Sequence, residues 1–566
     1  MGLHTADYLV LLLYFIIITI IGIWSARKLR DSNDFFMPRK FGKLMMAMFS
    51  FGTGTHSDQA VSVAAKSFTN GLSGIWYQWL WLPVTPFYWL IAPIFRRFRA
   101  VTTANVFEAR FDGSVSALYA FIGVLNLSVN IGIMLKGAGA VISASTGQLV
   151  SSNAAIAVMT ILFVIYGVAG GLSAAIITDF IQGILTIIFS FALLPLVMNA
   201  VGGFDGIRET VGSSDIFSLV APSDIGFFYI AVIAVNALVG VVTQPHTMGN
   251  CGAGRTELEG RVGFMFGTLL KRLCTIPWAL TGVAAVAYFA GTDIHPDKVF
   301  GAVAGDFLPK LVPGMLGLFL AALVASVMSS CDVFMVSSSA LFTENIYKRF
   351  RPNKQPRHYI LVARIAAILV VGGGVYFAFW LPSVVEGLET FWKISSMMGI
   401  AFWLGLFWRR TTVAGAWAAT ITAFAIWWLT TQTFFITFLA QVPYAEQLRF
   451  VTGQASEMAI YLPWQMIFYL TGGTAAGIIV SVLTRAVPRD KLDIFYALIC
   501  TPVRAGEKIT TPCTIPEGAV VPDRRKLFPK TNIEIPVPSR TSVIGFIIGW
   551  ICVVVLVGAV YLITQS

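Results

Sequence analysis

Charge is what this chain has least of. Asp, Glu, Lys and Arg make up 12% of its 566 residues, against roughly 25% in soluble proteins. That scarcity excludes a soluble enzyme with a large core, whose surface would carry far more charge. Cysteine is also sparse. The six, at 251, 274, 331, 500, 513 and 552, include no close Cys-x-x-Cys pair, so neither a disulfide framework nor a zinc site is indicated. The five histidines and the cysteines form no nucleophile–base set and no metal cluster by sequence, so no enzyme and no bound cofactor are expected. No removable leader is evident: the first apolar run, Tyr8 to Ile23, lacks a small-residue cleavage pattern and reads as a retained span.

Apolar residues are abundant, at 57%, and mean hydropathy is +0.77. Runs near 20 residues recur, so the expected fold is an all-α polytopic membrane protein. Fourteen spans are predicted: 7–26, 45–67, 73–95, 115–143, 153–170, 175–199, 224–249, 272–292, 313–345, 359–381, 386–408, 412–438, 463–484 and 541–563. Net charge is +11. In a soluble protein that balance would raise nucleic acid as a partner. Here it fits loops facing anionic cytoplasmic lipid, and no nucleic-acid partner is expected. With both termini outside, inner loops hold 31 of the 39 Lys and Arg residues. That asymmetry sets the predicted orientation. A cell membrane, here a bacterial inner membrane, is the expected location. Phe98 to Asp112 reads as an amphipathic helix on the inner surface, with Gly202 to Ser213 its weaker outer counterpart. The proline-rich inner segment 485–540 reads as an irregular linker.

Polar clusters interrupt several spans. Leu323 to Phe350 carries Ser329, Ser330 and Asp332 at mid-membrane, where hydroxyls and a carboxylate need a purpose or a partner. A small hard cation is one purpose, because oxygens can replace its water shell. The second span holds Gly52, Thr53, Gly54, Thr55, His56, Ser57, Asp58 and Gln59 together. That cluster predicts an unwound helix whose freed carbonyls point at an ion. A similar interruption is expected in 386–408, which holds Lys393, Ser395, Ser396 and Gly399; Lys393 either meets solute or pairs with Glu389. Lys136 has no nearby sequence partner and lies in a small-residue span, as an interior functional cation would. Asp179 either lines a hydrated cavity or caps its helix. Pro245 should break span seven between Gln244 and His246.

Four motifs in this order resemble the sodium:solute symporter family: GGLSAAIITDFIQ at 170–182, TQPH at 243–246, MSSCD at 328–332 followed by ALFTENIYKRF at 340–350, and LGLFWRRTTVAGA at 404–416. The resemblance covers roughly Asp7 to Arg485. It implies the leucine-transporter-like fold of the amino acid–polyamine–organocation superfamily: two inverted five-helix repeats with discontinuous helices. The expected layout is a first span and basic inner loop (1–43), the first repeat (44–199), an outer loop (200–223) and the second repeat (224–438). An outer loop with the thirteenth span (439–484), the proline-rich inner segment (485–540) and the last span (541–566) complete it.

By the same resemblance, sodium is the coupling ion. Its ligands fall on the carbonyls of Gly52, Thr55 and Ser326 and the hydroxyls of Ser329 and Ser330. A second cation or proton site would involve Asp179 and Asp332; Val333 replaces a hydroxyl that members with that site possess. Solute contacts fall on Gln59, Gln78 and Thr390. Gln78 is acidic and Thr390 a glutamine in sugar-transporting members. Trp76 and Tyr77 beside Gln78 pack against solute or form an outer aromatic belt. Lys136 and Lys393 lean the pocket toward anionic or neutral polar solutes; amino acids, carboxylates, sugars and nucleosides all stay open.

The expected function is therefore symport of a small polar organic solute with sodium, by a protein working as a monomer in lipid. Proton coupling through Asp179, Asp332 or His246 is the alternative within transport, distinguished by uptake with sodium replaced by choline or potassium. A membrane-embedded sensor without transport is the alternative of another class, distinguished by solute accumulation against a gradient.

Overall fold

A computed structural model of the protein describes residues 3–26, 37, 39–221, 224–453, 458–504, 506–507, 509, 511–522 and 525–565, without the side chains of 18–19, 21–26, 165–179 and 214. The basic inner loop expected at 27–43 lies outside the described residues at 27–36 and 38.

The described chain is helical apart from a two-residue hairpin, Val451–Thr452 with Ala459–Ile460, and isolated bridges. Its first part runs α1 (Thr5–Ala26), α2 (Lys43–Gly52), α3 (Ser57–Asn70), α4 (Thr85–Arg97), α5 (Thr103–Arg110), α6 (Gly113–Ser145), α7 (Ser152–Ala200) and α8 (Gly203–Val211). Then come α9 (Phe227–Val241), α10 (Pro245–Gly252), α11 (Glu257–Tyr288), α12 (Val299–Leu311), α13 (Met315–Ala340), α14 (Pro356–Trp380) and α15 (Val384–Phe407). The chain ends with α16 (Val413–Leu429), α17 (Thr433–Ala440), α18 (Leu462–Leu483), α19 (Arg489–Cys500) and α20 (Arg540–Gln565). Among the described residues, eight helices are long and apolar enough to cross a membrane. Two bent pairs, α9–α10 at 71° and α16–α17 at 76°, raise that to ten.

Several expectations are corrected. Spans five and six form one continuous helix, α7. Span eight begins at Glu257 rather than 272, because Thr256 and Glu259 close a capping box that starts α11 early. The segment 386–408 is not interrupted: α15 is continuous. Ser395 and Ser396 return their hydroxyls to the carbonyls of Phe391 (3.0 Å) and Trp392 (2.8 Å), one turn back, so their polarity does not unwind it. The amphipathic helix expected at 98–112 is α5, but its aromatics are buried rather than facing lipid. Phe107 stacks on Tyr119 at 4.8 Å, and Phe98 stacks on Phe495 of α19 at 5.9 Å.

Helix α13 is the central post. Of its most apolar window 94% is buried, against 22% for α20 and 33% for α14, which face outward. Glycines let backbones touch. A Cβ on Gly267 or Gly282 of α11 would meet the carbonyls of Ala47 (2.3 Å) or Ala64 (2.4 Å) on α2 and α3, and one on Gly399 would meet Val239 O at 1.9 Å. Between helices in lipid, such close approach supplies the dispersion contact that drives packing. Asp7 pins α1 to this post: its buried carboxylate accepts from the N–H of Gly317 at 2.7 Å, where an anion complements the helix N-terminus.

The segment 485–540 is more than a linker. Helix α19 buries Leu492, Phe495, Tyr496, Leu498 and Ile499. Beyond it the chain is strapped to the helix ends. Arg99, fully buried, donates to Glu507 (Nη2–Oε2 2.9 Å) and to the carbonyls of Thr501 and Pro502. Arg97 grips Glu257, whose Oε1 also accepts from Val503 N, and Arg409 bridges Asp493 and Glu534.

Candidate functional site: a helix break facing a cationic cavity

The chain unwinds where glycines and small hydroxyl residues succeed one another. Helix α2 ends at Gly52 and α3 starts at Ser57, leaving 53–56 as the break expected in span two. The last carbonyls of α2 carry the negative end of its dipole. Across the break stands α13, where Ser326, Ser329 and Ser330 share one face by their i, i+3, i+4 spacing. All three are buried. Ser326 Oγ donates to Thr55 O at 3.1 Å, which fixes this face against the break. Ser330 Oγ and Thr55 Oγ1 are buried and make no hydrogen bond. An orphaned hydroxyl at this depth costs about 1–3 kcal/mol, and a cation would relieve it. The structure thus brings Ser326 onto Thr55; Ser329 and Ser330 are buried on the same helix, and Gly52 ends α2 at the break. Asp332 lies buried on the same helix. Asp179 falls outside the residues whose side chains are described.

The first turn of α3 carries the site's buried acid. Asp58 is fully buried, contacts His56 Nδ1 closely, and accepts from Gln59 Nε2 at 2.9 Å. Gly137 of α6 lets the two helices meet here, since a Cβ on it would lie 2.9 Å from Asp58 Cα.

Beside the break opens a cavity of about 630 Å³, mouth included. Its walls come from both sides of the α2–α3 break, the turn at Gln78 and Trp81, α6 at Asn130, the α9–α10 break at Gln244 and His246, α11, and α15 at Leu388, Phe391 and Trp392. Gln59 and Gln78 line it. Gln78 is held by Arg272, whose Nη1 donates to its backbone O (2.8 Å) and to Oε1 (3.3 Å), while Trp79 Nε1 returns a bond to Arg272 O (3.1 Å). The ring of Phe334 stands between His56 and His246, with centroids at 6.2 and 5.3 Å.

Other expected contacts lie elsewhere. Tyr77 stands behind Trp392 (5.6 Å) with its hydroxyl on Glu389 (2.8 Å), and Trp76 bonds Leu219 O in the loop before α9 (2.8 Å). Lys136 donates to Leu381 O at 2.6 Å. That carbonyl follows the last residue of α14, so the cation satisfies a helix C-terminus. Near it, burial raises the carboxyl of Asp297, an effect offset in part by Val384 N–H and the charge of Lys136. Thr390 bonds Glu386 O (2.9 Å), and Lys393 lies in the field of Glu389 and Glu386 rather than on the cavity.

Sequence reasoning missed Lys271 and Arg272, which it placed in an inner loop. Both are buried, roughly four turns into α11, and line the cavity. The signal was the Thr256-x-x-Glu259 capping box, which moves the helix start and carries both side chains well inside α11.

Broken helices meeting around a polar cavity are the architecture of secondary transporters. The chain belongs to the sodium:solute symporter family, whose model it matches over residues 35–423; it is a multi-pass membrane protein of a transporter family. It is similar to the sodium/pantothenate symporter of Escherichia coli, 25% identical over 73% of this chain and 87% of that one. It is likewise similar to the osmoregulated proline transporter OpuE of Bacillus subtilis, 25% identical over 85% and 96%, and to the sodium/myo-inositol cotransporter 2 of Sus scrofa, 26% identical over 74% and 68%. Its fold is similar to that of a Na+-coupled sialic acid symporter, with a TM-score of 0.67 and 19% identity over 86% of this chain and 99% of that one.

Proposed function

We propose that this protein couples inward sodium flow to uptake of a small polar organic solute by alternating access. Sodium binds at the α2–α3 break, on the carbonyls of Gly52, Thr55 and Ser326 and the hydroxyls of Ser329 and Ser330. Solute occupies the adjacent cavity, with Gln59 and Gln78 among its contacts. The observation that carries this reading is the orphaned pair of hydroxyls, Thr55 and Ser330, buried at a helix break that Ser326 ties to α13. In this reading the chain forms two inverted repeats, 44–199 and 224–438, in a bacterial inner membrane with both termini outside. The break in α2–α3 and that in α9–α10 then occupy matching places near the start of each repeat.

Sodium entry into a negative cell supplies about 2.3 kcal/mol per charge for each 100 mV, before its concentration gradient is counted. Sodium filling the break lowers the cost of ordering the cavity wall at Gln59, and solute must in turn tighten sodium by the same factor. The test is uptake by membrane vesicles as a function of external sodium, for wild type and Ser329→Ala. The mutant should need at least tenfold more sodium for half-maximal uptake. Identical sodium dependence in the two would remove Ser329 from the site.

A further inference from the structure

We infer that the solute is a small organic anion, and that Arg272 and Lys271 select it; the inference rests on the transport reading above and narrows it. Among the described residues, Lys271 and Arg272 are the strongly basic side chains on the cavity lining, which includes no Asp or Glu. They are 6% and 2% exposed. One carboxylate behind the wall, Asp58, is already engaged by His56 and Gln59. Two basic side chains line the cavity, and among the described lining residues no carboxylate answers them. A guanidinium does not lose its proton in a protein, so in a dry site Arg272 calls for an anion.

The bonding of these side chains agrees. Arg272 gives Nη1 to two neutral oxygens of Gln78, which offset no charge. Its Nε–H is buried with no partner. Lys271 Nζ lies 3.4 Å from where a Cβ of Gly54 would stand, so the ammonium reaches the cavity side of the helix break through space a side chain would fill. A carboxylate docking here would gain charge-assisted bonds from both. Elsewhere on the lining, Gln59 Oε1 and Asn250 Oδ1 are buried acceptors without partners. They call for donors on the same solute. Trp392, Phe391 and Leu388 offer an apolar flank. The chemistry defined is a monocarboxylate bearing hydroxyl or amide N–H groups.

The test is thermal unfolding of the purified full chain with matched acid and neutral probes: lactate and lactamide, gluconate and sorbitol, N-acetylglycine and its amide. Each pair is run in sodium chloride and in choline chloride at equal ionic strength. At least one acid should stabilise the wild type, in sodium, with affinity tenfold or more above its neutral partner. Gln78→Glu keeps the side chain's shape and sets a carboxylate beside Arg272, so the protein should fold and the preference for acid should fall at least tenfold. Lys271→Met should weaken the acid and leave its neutral partner unchanged. A neutral probe binding as tightly as its acid would overturn the inference. So would silence of every acid while sodium alone still stabilises the protein. Acid binding that ignores sodium would instead uphold the anionic class and refute coupling.

Discussion

Removing the Ser330 hydroxyl separates a ligand from a structural group by the sign of its effects. Ser330 Oγ is buried and makes no hydrogen bond. Ser330→Ala therefore deletes an unsatisfied group whose burial costs about 1–3 kcal/mol, and sodium-free stability should hold or rise. In the sodium-bound protein the same change removes an oxygen from the ion. A tenfold weaker sodium site corresponds to about 1.4 kcal/mol. At a sodium concentration 100 times the wild-type Kd, bound sodium stabilises by about 2.7 kcal/mol, and by about 1.4 once Kd rises tenfold. The assay is thermal or denaturant unfolding over a sodium titration, with choline holding ionic strength. Ser338→Ala is the control, since on the same helix Ser338 Oγ already bonds Met335 O at 2.9 Å; it should leave the sodium response unchanged. A Ser330→Ala protein that is less stable without sodium, yet gains as much from sodium as wild type, would refute the reasoning.

Two further outcomes test the frame around the site. Burial by itself would raise the Glu507 carboxyl, but hydrogen bonds and charge from Arg99 outweigh it and hold the group below its usual 4.5. A depressed carboxyl stabilises fully above pH 4.5 and loses that contribution as pH falls through its folded value, so proteolysis of the inner strap near Gly518 should accelerate only below pH 4.5; Glu507→Gln should accelerate it at least tenfold at pH 7 and flatten the pH dependence. Gly399→Ala should cost about 1–3 kcal/mol as the added carbon drives α15 off Val239 O, whereas Gly372→Ala, with nothing within 4 Å of its Cβ position, should be neutral or stabilising in the same unfolding assay.

The helix break was legible in the sequence. Glycines and hydroxyls packed into 52–59 predicted it, because that signal is local, whereas Ser326 entered only through the family resemblance. The solute half was less so. Ser395, Ser396 and Gly399 suggested another break, but hydroxyls that bond one turn back leave a helix intact. Lys136 looked like a free interior cation because its partner, the carbonyl of Leu381, is 245 residues away and a backbone oxygen carries no sequence signature. Lys271 and Arg272 were hidden by a different error. A basic pair at the edge of an apolar run was counted as loop, although the capping box at Thr256 had already started the helix. The strap escaped notice because ion pairs such as Arg99 with Glu507 hold it to distant segments, and prolines conceal that order.

The most direct test is transport itself. Purified protein reconstituted into sealed vesicles, loaded without sodium and diluted into sodium chloride, should accumulate the acid identified by the unfolding screen above its external concentration. It should fail to do so in choline chloride or after the sodium gradient is collapsed. Accumulation that persists without sodium, or equilibration that never exceeds the external concentration with sodium present, would contradict sodium-coupled symport.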